Sequence, residues 1–508
     1  MTSPISEGFQ PPAPDPTDPG FEDKTNGFEP QEAPPTAPDT ANFKKDKEAF
    51  ETPEDFADGL GPVYNSTSCV ACHQNPVTGS SSQISELRAG YQHNGKFVEP
   101  AGGSLIHQRA VNATIQELAP WTAGDIPTGQ GKLVPVHTRR MATTILGDGF
   151  VEMIPDQEIV NLRHDQPIGL RGTPTIARVN VAPILDASGK AVSFPTVERI
   201  GRFGWKCQEA SLLNFSIGAY INEMGITSPA SSNPPPPLEN KSNNRDVGHP
   251  PFDGKPEPED DKKLQQHPFG DDVEAFTRFM RSTKAPPQRK TPPDAGAAAD
   301  IAAGKEIFMR ASLGCAVCHH PSFTTPAVGT DIKVLESTEN ASDLPNSKVP
   351  PGLGGVIIFP YSDFMLHDIG TGDGIAQGQH AQLPSRSDRH TPIKEDVRAK
   401  YQIARIKVEI SPQNRRVLSN DADVLPKTEA DAPSTPIDQS TRNKIRTAPL
   451  WGLRVRPELL HDGSAYSVEE AIIRHKAKSA DHTVRLPENF ASLTPTEKRQ
   501  LLSFLYSL

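Results

Sequence analysis

The chain has 508 residues, 52 Lys+Arg against 63 Asp+Glu for a formal charge of −11, 52 Pro, 38 Gly and 35% hydrophobic residues. That length allows roughly two to four domains, the lack of any apolar run of about 18 residues excludes a membrane-spanning helix, and the acidic balance argues against general nucleic-acid binding. Proline at about twice ordinary usage marks long linkers and irregular surface.

Residues 1–45 are Pro, Asp, Glu, Thr and Gly with scattered Phe. They hold too little apolar surface to offset the entropy of ordering, so a disordered leader is expected. The leader lacks the charged start and apolar run of a signal peptide. Next comes Cys69-Val70-Ala71-Cys72-His73, and Cys315-Ala316-Val317-Cys318-His319 repeats the pattern in the second half. Chance would give about 0.0015 copies of C-x-x-C-H in a chain of this composition. Two thiols about one helical turn apart form thioethers to the two vinyl groups of one haem, and the adjacent His then lies beneath the iron. A zinc site would need further ligands near each pair, and a redox dithiol would sit in a βαβ unit without the trailing His. The fifth thiol, Cys207, reads as buried and inert rather than reactive. Covalent haem attachment in bacteria takes place outside the cytoplasm. A periplasmic or otherwise extracytoplasmic protein is therefore expected, with its export signal not present in this chain.

From Ser228 to Gly270 the composition turns low-complexity, with Pro234-Pro235-Pro236-Pro237 and Glu257-Pro258-Glu259-Asp260-Asp261. At Asp271 an Asp followed three residues later by Glu274 opens a run with Val273, Phe276, Phe279 and Met280 at helical spacing, which predicts a capped amphipathic helix. Ala285-Pro286-Pro287 ends it. The second half closes alike: Thr494-Pro495-Thr496-Glu497 is a capping box with Pro at the first helical position, ahead of Leu501, Leu502, Phe504 and Leu505. The expected fold is mainly α, two tandem c-type cytochrome domains with long irregular loops and disordered inserts. Its parts are the leader 1–45, an N-terminal haem domain 46–283 containing the insert 228–270, a linker 284–298, and a C-terminal domain 299–508. Such domains count the porphyrin as core, which makes the low apolar fraction tolerable.

Further segments carry a family resemblance. Gly61-Pro62-Val63-Tyr64-Asn65, Gly201-Arg202-Phe203-Gly204-Trp205-Lys206, Glu223-Met224-Gly225-Ile226-Thr227 and Arg446-Thr447-Ala448-Pro449-Leu450-Trp451-Gly452 resemble the bacterial di-haem oxidoreductases, labelled thiol oxidoreductases or peroxidases. The chain is more distantly similar to the di-haem cytochrome c peroxidases and to the di-haem enzyme that matures methylamine dehydrogenase. The likeness covers about 60–508, with the leader and the insert outside it.

The resemblance implies roles. His461-Asp462-Gly463-Ser464 and the following Ser467–His475 fit the peroxidase-like H-x-G…L-x-x-A pattern, whose fourteenth residue after the His is the distal ligand of the second haem. Here that residue is His475, which would close the second iron with two imidazoles, His319 and His475; as a lone His it also reads as a helix-surface residue. The corresponding position after Trp205 is Ala219, which cannot ligate, so the first haem, on His73, is expected to have an open or displaceable sixth site. Glu223 matches the carboxylate over that haem, an acid/base for O–O cleavage, or else a solvated helix-end Glu. Leu212, Phe215, Ala219 and Glu223 recur at three- and four-residue steps, which would aim it along one helix face. Met224, His93 and His107 are rival sixth ligands. Trp205 matches the aromatic relay between the haems, with core packing as its ordinary alternative. Arg446 is a propionate partner or a surface salt bridge, and His367 a propionate or backbone contact near the second haem. Relatives also hold calcium between the domains with an Asn; beside Gly172-Thr173-Pro174-Thr175 this chain has Arg178 there. The implied activity is peroxide reduction with electrons from a small donor protein, a cytochrome c or cupredoxin. A non-catalytic electron carrier, or an oxidase of a thiol or of a partner protein's side chain, is the alternative.

Overall fold

Helix α1 (Thr40–Glu51) brings Phe43 and Phe50 onto Phe279, with ring centroids 5.5 and 4.9 Å apart, and Asp46 pairs with Arg278 at 2.7 Å. The computed structural model describes residues 40–100, 103–113, 116–117, 126–128, 131–181, 183–188, 191–231, 267, 269–286, 288, 295–332, 348–377, 379–380, 438–476 and 486–508. These belong to one compact unit. Of the expected disordered stretches, residues 1–39 and most of 228–270 lie outside the described residues, while α1 starts inside the segment read as leader.

The remaining helices are α2 (Asp148–Met153), α3 (Asp156–Asp165), α4 (Leu212–Ala219), α5 (Asp271–Ser282), α6 (Ala295–Phe308), α7 (Cys315–Cys318), α8 (Val468–Arg474), α9 (Glu488–Ala491) and α10 (Pro495–Leu505). In α5 the apolar positions behave as their spacing predicts, with Val273, Phe276, Phe279 and Met280 buried. Its cap differs: Gly270 precedes the helix without a side-chain cap, and Glu274 turns back to accept from His267 Nδ1 at 2.8 Å. Helix α10 carries the full capping box between Thr494 and Glu497, and Leu501 and Phe504 pack with Ile307, Phe308 and Tyr361. Gly304 of α6 permits that approach, since a Cβ there would lie 1.9 Å from the Gln500 carbonyl oxygen.

The fold is not mainly α, contrary to expectation. Among the described residues the longest helix has 14 residues, and strands run throughout both halves. The largest sheet is antiparallel and five-stranded: Lys96–Val98, Ser85–His93, Gly131–Met141 and Ile126–Thr128 in order, with Leu105–Ile106 also on Ser85–His93. Its two long strands account for the misreading. Leu87, Ala89 and Tyr91 alternate with polar neighbours, the period of a half-buried strand, but Pro135 argues against a central strand. Pro135 sits opposite Tyr91, beyond Leu133 where pairing with Ile126–Thr128 stops, so its missing N–H faces no partner on that side. Other short pairings join distant sequence: Leu366–His367 with Ile445–Arg446, and Gln379–His380 with Thr175–Asn180. No helix among the described residues is long and apolar enough to cross a membrane.

Candidate functional site: two adjoining cavities

Each C-x-x-C-H motif folds as a single helical turn on the wall of its own cavity. In the first, His73 N–H donates to Cys69 O at 3.1 Å; in the second, α7 is the turn and His319 N–H reaches Cys315 O at 2.9 Å. Neither thiol pair is in a disulfide. The pairs line separate cavities of about 260 and 200 Å³, so they do not converge on one ion.

The second cavity holds two imidazoles opposite each other. The His319 and His475 ring centroids are 6.4 Å apart with planes at 50°. His319 Nδ1 lies 2.9 Å from Tyr361 O and His475 Nδ1 2.6 Å from Ala471 O. A carbonyl only accepts, so each Nδ1 carries the proton and each Nε2 keeps a lone pair. Burial pushes His319 down to about 4, with His475 adding to it, and burial also lowers His475. Ser467 caps the N-terminus of α8, which seats His475 at the other end of the helix.

Two guanidinium groups face the same cavity. Arg446 donates to Arg202 O at 2.9 Å, but its buried Nε has no partner; Arg456 donates to Trp451 O at 2.6 Å. Burial lowers both, Arg456 to about 10. The carboxyl acting on both is Asp148, which burial pushes up to about 7. His461 is buried against this cavity with both ring nitrogens unpartnered. His367 accepts or donates at Cys318 Sγ (3.5 Å) and Asp363 (2.8 Å); among the described residues these three form the cluster of potential metal-binding side chains.

Among the described residues the first cavity has no second imidazole on its wall. Burial pushes His73 down to about 4. The walls include Phe276 and Met280 of α5, Phe215 and Ala219 of α4, and Glu86 and Arg88 of Ser85–His93. Helix α4 does not continue as the spacing predicts: it widens into a π turn over Tyr220–Met224. The extra residue per turn places Tyr220, Asn222, Glu223 and Met224 all on the cavity wall. π turns of this kind recur at functional sites. Gly225 ends the turn at φ 80°, and a Cβ there would meet Gly61 O at 2.1 Å. Asn65 Nδ2 donates to Glu223 Oε2 at 2.8 Å. Burial, then the neighbouring Glu86 carboxyl, pushes Glu223 up to about 7. Burial also opposes ionisation of Glu86, but the Arg88 guanidinium outweighs it and holds Glu86 below its ordinary value.

His93 ends its strand opposite Lys96 and is not on the cavity wall. His107 is also off the wall. Its Nδ1 meets Glu117 at 2.9 Å and its Nε2 meets Asn222 O at 2.6 Å. Both partners accept, so both nitrogens donate and the ring is an imidazolium; Glu117 raises it against the cost of burial. Met224 is buried beside Glu223. Trp205 lines both cavities, as do Met141, Ala142 and Thr143. Its Nε1–H donates to Met141 O at 2.7 Å, and its ring meets that of His461 edge-on at 6.2 Å. Cys207 is buried with its thiol on Phe364 O at 3.2 Å, and burial pushes it up to about 12.

A family model described as "Di-haem oxidoreductase, putative peroxidase" matches residues 134–392. The chain belongs to that family. No curated protein matches the chain. A solved structure, Kuenenia stuttgartiensis hydrazine synthase pressurised with xenon, is similar at 16% identity and a TM-score of 0.22, over 47% of this chain and 56% of that one. The chain thus spans little more than half of that structure.

The family name implies two haems, and both cavities of this di-haem oxidoreductase fit one. Two imidazoles bonded to opposite faces of one metal at about 2 Å place their ring centroids about 6 Å apart, close to the 6.4 Å between His319 and His475. The orphaned Arg446 Nε and the adjoining Arg456 suit an acidic propionate edge. The first cavity offers the same thiols and His, with Arg88 and Arg140 on its walls.

Where this di-haem oxidoreductase joins sequence from both halves, a lysine stands as the cation. Lys206 Nζ, fully buried, lies 3.0, 3.2 and 2.7 Å from the carbonyl oxygens of Thr441, Arg442 and Lys444 and 2.9 Å from Asp373 Oδ1. Arg140 clamps the same carboxylate at 2.8 Å. Burial lowers Lys206 to about 8, still an ammonium at neutral pH. Lys206→Met strips the charge, takes the ammonium from three buried carbonyls and leaves Asp373 with Arg140 as its remaining cation among the described residues; we expect a loss of about 3 kcal/mol, measured as a lower midpoint in denaturant unfolding. Arg178, where the resemblance places an Asn, is exposed on its strand.

Sequence reasoning missed Glu86, Arg88, Asn65 and Arg456. Glu86 and Arg88 are two apart, hence on one face of a strand; reading Ser85–His93 as a strand would have paired them.

Proposed function

We propose that the protein is an exported di-haem peroxidase: it reduces peroxide in the first cavity with electrons that enter at the second. The supporting observation is the asymmetry between the cavities. His319 and His475 face each other across the second, whereas His73 shares the first with three carboxyl groups and two arginines. In this reading Cys69 and Cys72 hold one haem by thioethers and Cys315 and Cys318 the other. The haem on His73 would supply the iron for peroxide and the electrons that break its O–O bond. His319 and His475 would close the other iron to substrate, suiting it to electron transfer from a cytochrome c or cupredoxin. Arg446 and Arg456 would pair with its propionates; His93 and His107 lie off the first cavity, and Met224, on its wall, would not hold the iron in this reading.

Glu223 is at hand for proton transfer, fixed by Asn65 and by the backbone: Asn65 N–H donates to Glu223 O at 2.7 Å. Trp205, in the wall common to both cavities, would relay electrons. Because its N–H faces a backbone carbonyl that cannot take a proton, the ring keeps that proton while it does so. Trp205→Phe should slow reoxidation of the His319/His475 haem by peroxide, seen by stopped-flow absorption, with both haem spectra unchanged at rest.

The test is reduction of hydrogen peroxide by reduced cytochrome c, at full and half reduction, with an EPR spectrum of the isolated protein. One low-spin and one high-spin ferric signal are expected, with both haems retained on denaturation. Two low-spin signals and no turnover would instead make the protein an electron carrier.

A further inference from the structure

Glu86 and Glu223 come from distant sequence, strand Ser85–His93 and the π turn after α4, yet their carboxyl groups lie within hydrogen-bonding reach of each other. Two carboxyls in such contact cannot both ionise; one keeps a proton between them. Their surroundings break the symmetry. Arg88 grips Glu86 with two bonds, Nε to Oε1 at 2.8 Å and Nη2 to Oε2 at 3.0 Å, the two-point geometry that favours a carboxylate. Among the described residues no ion pair holds Glu223; the Arg88 charge reaches it, but burial and Glu86 outweigh that charge, and it receives the Asn65 amide, which satisfies a neutral acid equally well. The other charged or titratable groups that act on the pair are Arg140, His107 and the Cys72 thiol, and Glu209 lines the same cavity.

We propose that the two carboxyls divide the acid and base work: ionised Glu86 takes the proton from the entering peroxide, and protonated Glu223 gives one to the departing oxygen. This rests on the peroxidase reading and deepens it, since a single Glu would otherwise have to do both. The O–O bond breaks, its electron pair leaves with the departing oxygen, and that oxygen becomes water with the proton from Glu223. Glu86 then returns its proton to Glu223 across their shared hydrogen bond, which resets the pair. Over the cycle two electrons from the donor protein and two protons from solvent turn one peroxide into two waters.

The division has a signature apart from turnover. An infrared pH titration, read as wild type minus Glu223→Gln so that the buried Asp148 and Glu209 carboxyls cancel, should show a protonated-carboxyl band that fades as pH rises through about 7. In Glu86→Gln the neighbouring negative charge is gone, so the band should fade at a pH about one unit lower or more. In turnover, Glu86→Gln should lose about 10²-fold and the dependence on an ionised base at low pH, while the fall with rising pH, set by Glu223, moves down by about one unit or more together with the band. Glu86→Asp, still gripped by Arg88, should recover part of the rate and guards against misfolding as the cause. An unshifted band in a folded Glu86→Gln, with an active wild type, overturns the division alone. A wild type that turns over no peroxide overturns the peroxidase reading and this inference with it.

Discussion

Glu223→Gln should lower peroxide turnover by about 10²- to 10³-fold, that is about 3–4 kcal/mol in the barrier, with both haems in place. Glutamine keeps the size of the side chain and can still accept from Asn65 Nδ2, so the fold of the π turn should survive. What it removes is the proton that burial and Glu86 hold on this carboxyl. The loss should fall on kcat, because the proton moves only as the O–O bond breaks, an interaction made in the transition state. Steady-state kinetics with reduced cytochrome c checks this, and an equal loss confined to KM would assign Glu223 to binding instead.

His475→Ala should produce the largest spectroscopic change. His475 caps the C-terminus of α8 and shares the second cavity with His319. On the proposed ligation its removal would leave one face of the second iron open, so a low-spin EPR signal should give way to a high-spin one, and added imidazole should restore it. Electron entry from the donor should slow by about tenfold or more, since ligand exchange with water would accompany each redox step. The protein should remain folded: the core of α6 and α10 is built from Phe308, Tyr361, Leu501 and Phe504, none of which rests on the imidazole. Retention of the low-spin signal in this variant would remove His475 from the iron.

Chemistry was more legible in this sequence than architecture. The C-x-x-C-H motifs are short-range patterns whose spacing is the mechanism, and the step of fourteen from His461 pointed to a residue that the structure seats on the same cavity as His319. The α10 capping box was equally local. The sheets were not, because their partners are far apart and Pro135 masks the central strand of the largest. Glu86 was hidden for the same reason: its significance lies in a π-turn residue 137 positions on, brought near only by the fold. His107, conspicuous as a ring on a loop, proves to be committed at both nitrogens to Glu117 and Asn222.

The ammonium of Lys206 has one further consequence. A junction neutralised by a dissolved ion holds only while that ion is supplied, and it loosens when a chelator competes. Here the positive charge is covalently part of the polypeptide: the three carbonyls and Asp373 meet a partner whose local concentration never changes. The seam beside Trp205 should therefore keep its alignment in ion-poor surroundings and in the presence of EDTA.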